Sequence, residues 1–131
     1  MELAARVLIV DDSSLIRRAV SELLRNAGGE FEIHESPDGE DAVRRAREVN
    51  PDVILLDHAV PPITAKQLAA KLRRDAPAAR IVLMSEQDAA LLRIMADIAG
   101  VRWCIPKSTL ASDLLPLLRQ ILGDFPAPPQ N

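Results

Sequence analysis

At 131 residues the chain is long enough for one hydrophobic core and too short for two. An apolar content of 48% excludes disorder as a description of the whole, and a net charge of −3, with Phe31, Trp103 and Phe125 as the aromatics, offers neither a phosphate-tracking basic stripe nor a base-stacking platform. A single cysteine, Cys104, excludes an internal disulfide, and no apolar run approaches the ~18 residues of a membrane span.

The first predicted element is a strand over residues 6–10, from which Asp11-Asp12-Ser13-Ser14 turns into a helix. Ile16, Ala19, Val20, Leu23, Leu24 and Ala27 recur there at helical spacing, with Gly28 placed to cap the end and the arginines facing water. A second strand, Phe31 to Glu35, alternates as a half-exposed edge does. Asp38 caps a helix bearing Ala42, Val43, Ala46 and Val49, which Asn50-Pro51 stops.

The third strand, Val53-Ile54-Leu55-Leu56, runs straight into Asp57. A loop, Val60-Pro61-Pro62-Ile63, leads to a helix with Leu68, Ala69 and Leu72, ended by Pro77. Residues 80–84 form a fourth apolar strand, and 85–88 a loop. Leu91, Ile94, Met95 and Ile98 are the expected buried face of the next helix, closed by Gly100. After a last strand, Arg102 to Ile105, comes a helix with Leu114, Leu117, Leu118, Ile121 and Leu122, for which Ser108 and Ser112 are candidate caps. Pro116 within it predicts a late start or a bend. Residues 123–131, rich in proline, read as an extended linker.

Five strands alternating with five helices, each connection long enough for a crossover, predict an α/β fold: a parallel sheet covered on both faces. Ligands then bind beyond the carboxyl ends of the strands, where strand order reverses. That rim is where Asp11, Asp12, Asp57, Ser85 and Lys107 are expected to converge. Several carboxylates this close need a counter-ion, since two at 4 Å repel by ~4 kcal/mol at an effective dielectric near 20. Oxygen ligands on a wet rim favour Mg²⁺. No His/Cys grouping suggests zinc, and His34 and His58 read as ordinary surface or loop residues. With the metal in place, Asp57 is a candidate nucleophile toward a phosphoryl donor, Lys107 a neutralising charge and Ser85 a hydrogen-bond donor to the phosphoryl oxygens.

Asp11-Asp12, Asp57 with the following Pro61, Ser85 and Lys107 together resemble the receiver domains of two-component response regulators over roughly residues 5–122. The resemblance implies a flavodoxin-like (βα)5 fold of strand order 2-1-3-4-5, and phosphorylation of Asp57 by a partner histidine kinase. It also implies Mg²⁺ held by Asp12 directly, by Asp11 through water, by Asp57, and by the Ala59 backbone carbonyl. Lys107-Ser108, the leucine-rich last helix and the proline-rich tail look most like the NarL/LuxR branch, whose receivers precede a helix-turn-helix domain. A receiver domain at 1–122 and a linker at 123–131 follow as expectations. DNA would be met only through an output domain outside this chain, a transcriptional output controlled, and the protein cytoplasmic.

Departures from the pattern fall on switch positions. Glu86 follows the hydroxyl where a small residue is usual, Cys104 stands where Phe or Tyr is common, and Trp103 and Ala65 replace frequent glycines. Phosphorylation is expected to shift residues 88–99, the last strand and the last helix, and to alter homodimerisation through the 88–122 face. The alternative is a receiver-like interaction module that acts without phosphorylation. A phosphatase with an aspartyl nucleophile is disfavoured because Ala59 stands where a second acid belongs. An FMN-binding flavodoxin lacks its phosphate loop after the first strand.

Overall fold

A computed structural model describes residues 3–59 and 63–123. Its elements run β1 Ala5–Val10, α1 Ser14–Arg25, β2 Phe31–Ser36, α2 Gly39–Val49, β3 Val53–Asp57, α3 Ala65–Asp75, β4 Arg80–Ser85, α4 Ala89–Ala99, β5 Trp103–Pro106 and α5 Leu110–Gly123, the last entered through a 3-10 turn at Lys107–Thr109. All strands pair in parallel, in the order β2-β1-β3-β4-β5. This is the flavodoxin-like arrangement expected, with its topological switch between β1 and β3.

Alternate residues of the strands feed two separate cores. Leu8, Val10, Ile54, Leu56 and Leu83 pack against α2, α3 and α4. Val7, Ile9, Leu55, Val82 and Met84 pack against α1 and α5. β1 from Val7 onward and β3, central and covered on both faces, are apolar without alternation, whereas edge strand β2 is only partly covered from Glu32 to Glu35.

Local signals behave as their chemistry requires. Ser13, Asp38, Thr64 and Asp88 each accept a backbone N–H of the first turn that follows, and Gln67 completes a capping box with Thr64. Asn50 and Gly100 close α2 and α4 in the left-handed conformation.

Four expectations need correction. Helix α1 is closed by Asn26, and Gly28 and Gly29, with φ of 70° and 89°, make the turn toward β2 instead. Ser108 caps nothing in the 3-10 turn, which follows Pro106, and the Ser112 hydroxyl donates to the Thr109 carbonyl and to Asp113. Helix α5 does not start late but runs from Leu110 through Pro116, giving up the one backbone bond that Pro116 cannot donate. Leu110, Leu114, Leu118 and Ile121, all buried, hold it to the sheet on both sides of that gap.

The largest correction concerns α4. Its buried residues are Leu92, Ala96 and Ala99, with Met95 partly covered, while Leu91, Ile94 and Ile98 are 42%, 56% and 66% exposed. Two aliphatic stripes of helical period run along this helix, and periodicity cannot choose between them. Packing chooses the one with alanines, because small side chains let the helix lie close to β4. Gly123 is the last residue of α5; Pro61 and the remainder of the proline-rich tail, 124–131, lie outside the described residues.

Candidate functional site

Strand register builds the rim. Val10 pairs with Leu56, so Asp11 emerges beside Asp57; Asp57 pairs with Met84, so Ser85 emerges one step further; Ser85 pairs with Pro106, so Lys107 follows. Four strand ends thus deliver five functional side chains to one edge.

Lys107 is the hub. Its ammonium lies 2.7 Å from Asp11 Oδ2 and 2.7 Å from Asp57 Oδ1, and its side chain is only 8% exposed. Glu86, on the water side, reaches to 4.0 Å with a side chain 76% exposed. Burial pushes the Lys107 ammonium down, but hydrogen bonds and charge attraction from Asp11 and Asp57 outweigh it and hold its pKa above the ordinary 10.5. Lysine is therefore charged at any physiological pH.

Each carboxylate is fixed by its own loop. Asp11 Oδ1 accepts the Ser13 N–H at 2.9 Å, its backbone N–H donates to Ser36 at 3.1 Å, and its carbonyl accepts from Arg17 at 2.6 Å. Asp57 Oδ2 accepts the Ala59 N–H at 3.3 Å, and the His58 N–H is anchored on the Met84 carbonyl at 3.0 Å. Ser85 is fully buried; its Oγ accepts the Gln87 N–H at 3.1 Å and lies 3.5 Å from His58 Nδ1.

The site suits a hard divalent cation. Asp11, Asp12 and Asp57 each bring a carboxylate oxygen within 4.8 Å of the others, and Asp12 is open to solvent. Asp11 Oδ2, buried and in contact with the Lys107 ammonium at 2.7 Å, is a carboxylate oxygen with a further lone pair that a cation could use. An all-oxygen donor set on an accessible rim fits Mg²⁺ better than a thiophilic metal.

The structure therefore brings together Asp11, Asp12, Asp57 and Lys107, with Ser85 and Glu86 at the adjoining strand end and Ala59 exposed in the loop after Asp57. Cys104, half-buried and unpaired, sits opposite Leu83 and packs on the α4 side of the sheet. Trp103 lies lower, opposite Val82 and packed on the α5 side, with Arg102 stacked over its ring at 4.8 Å. It belongs to the amino end of the sheet, well below the rim.

Two residues near the site were missed. His58, read as an ordinary loop residue, lies beside Ser85; its position directly after Asp57 was the available clue. Arg17, read as solvated, has a side chain only 17% exposed because it bridges the Asp11 carbonyl and Glu35. Only its place one turn beyond Asp11 hinted at that.

Residues 7–119 match the response regulator receiver domain, and the chain belongs to that family. Within it the chain is most like the NarL/LuxR branch. Similar structures include a two-component response regulator of the LuxR family from Aurantimonas sp. SI85-9A1, with a TM-score of 0.80, 26% identity, and coverage of 92% of this chain and 86% of that one. The receiver domain of NarL from Mycobacterium tuberculosis gives 0.78 and 27%, covering 93% and 99%. Among curated relatives, the response regulator GacA of Pseudomonas aeruginosa is 30% identical over 120 residues, 90% of this chain and 55% of GacA. The probable transcriptional regulatory protein TcrX of Mycobacterium tuberculosis is 32% identical over 116 residues, 88% and 49%. The chain spans about half the length of the curated relatives it matches. The family is one of signalling proteins rather than metabolic enzymes, and one relative, TcrX, is described as a probable transcriptional regulatory protein. Among the described residues, no helix is long and apolar enough to cross a membrane.

Proposed function

We propose that this chain is a phosphoacceptor receiver whose Asp57 takes a phosphoryl group from a sensor histidine kinase. The observation that carries this reading is the 2.7 Å contact of Lys107 with Asp57, made inside a group of carboxylates suited to Mg²⁺. Asp57 is the nucleophile because it ends β3, the middle strand of the five, with one oxygen on Lys107, and its side chain is 8% exposed where that of Asp11, which makes the same kinds of contact, is 1%.

Asp12, Asp11, Asp57 and the Ala59 carbonyl would hold Mg²⁺, which when bound neutralises charge on the transferring group. The remaining work falls to the chain. Lys107 offsets the charge that accumulates on the phosphoryl oxygens, and Ser85 turns its hydroxyl from His58 toward one of them. Asp11, locked by Ser13 and Arg17, keeps the ammonium positioned from the opposite side. The chain supports its own phosphorylation and slow dephosphorylation and is otherwise not an enzyme.

Residues 1–122 form the receiver and 123–131 a linker toward an output domain through which DNA is contacted, in the cytoplasm. The exposed stripe Leu91, Ile94 and Ile98 supports the 88–122 face as the partner surface, including for a homodimer, with Glu86, Trp103 and Cys104 as the switch and interface residues. Incubation with phosphoramidate and Mg²⁺ should add one phosphoryl mass, and Asp57→Asn should abolish it. A protein that gains no phosphoryl group from any donor, kinase included, would instead be an interaction module that works unmodified.

A further inference from the structure

Glu86 is an exposed carboxylate of the rim on the Lys107 side, its side chain 76% open to water. It lies 4.0 Å from the ammonium that Asp11 and Asp57 already share. Three carboxylates therefore draw on one cation, and the outermost of them stands at the mouth of the site. A phosphoryl group in contact with Lys107 lies within reach of the Glu86 charge.

We propose that Glu86 selects among phosphoryl donors, favouring those whose leaving group is a protonated nitrogen over acyl phosphates. The proposal rests on the phosphoacceptor reading of Asp57. In either reaction an Asp57 oxygen forms a new O–P bond. With an acyl phosphate the breaking bond is P–O, its electron pair stays on the departing carboxylate, and negative charge grows there. With a phosphoramidate or a phosphoimidazolium the breaking bond is P–N, the pair returns to a nitrogen that already carries its proton, and a positive charge is discharged as a neutral amine departs. A fixed negative charge at the mouth opposes the first course and assists approach in the second.

The magnitude follows from the exposure of Glu86. A unit charge about 4 Å away across water changes a rate by about fivefold, and the effect is screened by salt. A buried carboxylate would do more, and one beyond the Debye length would do nothing.

The test compares initial rates of phosphoryl addition from acetyl phosphate and from phosphoramidate, with Mg²⁺, followed by intact-protein mass at low and high ionic strength. Glu86→Gln keeps the size and removes the charge. It should accelerate acetyl phosphate by about fivefold at low salt, leave phosphoramidate unchanged or slower, and lose most of this difference at high salt. Glu86→Asp should retain the original preference. An unchanged donor ratio in Glu86→Gln, or equal acceleration of both donors, overturns the proposal while leaving Asp57 as phosphoacceptor. If neither donor modifies the folded wild-type protein or either variant, this proposal is overturned; the phosphoacceptor reading falls with it only when a histidine kinase also transfers nothing to Asp57. Circular dichroism and the thermal midpoint establish that each variant is folded.

Discussion

The carboxyl rim and the outer face of α4 invert the usual distribution of side chains in opposite ways. At the rim, Asp11, Asp57 and Lys107 are almost fully withdrawn from water; on α4, Leu91, Ile94 and Ile98 are left in it. Burying charge is costly unless partners are held in place, and here strand register and loop amides hold them. Exposed aliphatics cost the monomer little and gain only when something covers them. The two inversions differ in how tightly the fold determines them.

The sharpest way to break this contrast is to remove the hub. Lys107→Met should destabilise the metal-free protein by about 3 kcal/mol, because two buried carboxylates are left facing each other without a cation. Adding Asp57→Asn to that variant should recover part of the loss, and urea unfolding with a chelator present measures both. If Lys107→Met unfolds at the wild-type midpoint, the buried charges are not held by Lys107.

A second measurement separates the two faces of α4. Leu92→Ala, on the sheet side, should cost about 2–4 kcal/mol. Ile94→Ser, on the water side, should stay within about 0.5 kcal/mol while weakening any self-association seen by sedimentation. Equal costs at the two positions would mean that the outer stripe is packed after all.

The smallest expected effect lies on the alkaline side. The Lys107 pKa is raised in the folded state, so its contribution is complete below the unfolded value of 10.5 and is lost as pH rises through the folded value. Stability above pH 10.5 should therefore fall more steeply in the wild type than in Lys107→Met. Parallel curves would contradict the assignment.

The comparison also separates what was legible in the chain from what was not. Strand ends carrying Asp57, Ser85 and Lys107 could be read directly, because a run of buried apolar residues that stops at a polar one has few structural meanings. The caps Asp38 and Asn50 were equally plain, since each satisfies the backbone of its own helix. Gly28 was misplaced because two glycines near a helix end can each cap or turn. Ser108 and Ser112 were misread as caps because the 3-10 turn at Lys107–Thr109 leads into α5, which leaves Ser108 inside the turn and Ser112 inside the helix.

The residues alone determined the elements, the parallel α/β class and which polar side chains end the strands, because these depend on local periodicity and on chemistry that a side chain carries wherever it stands. Tertiary structure decided the rest. Which aliphatic stripe of α4 faces the sheet depends on the close approach that Ala96 and Ala99 permit. That Lys107 bridges two acids, that Arg17 holds the Asp11 carbonyl, that His58 lies beside Ser85, and that Glu86 stands at the mouth depend on the register of neighbouring strands, and register is a relation between segments that neither segment states by itself.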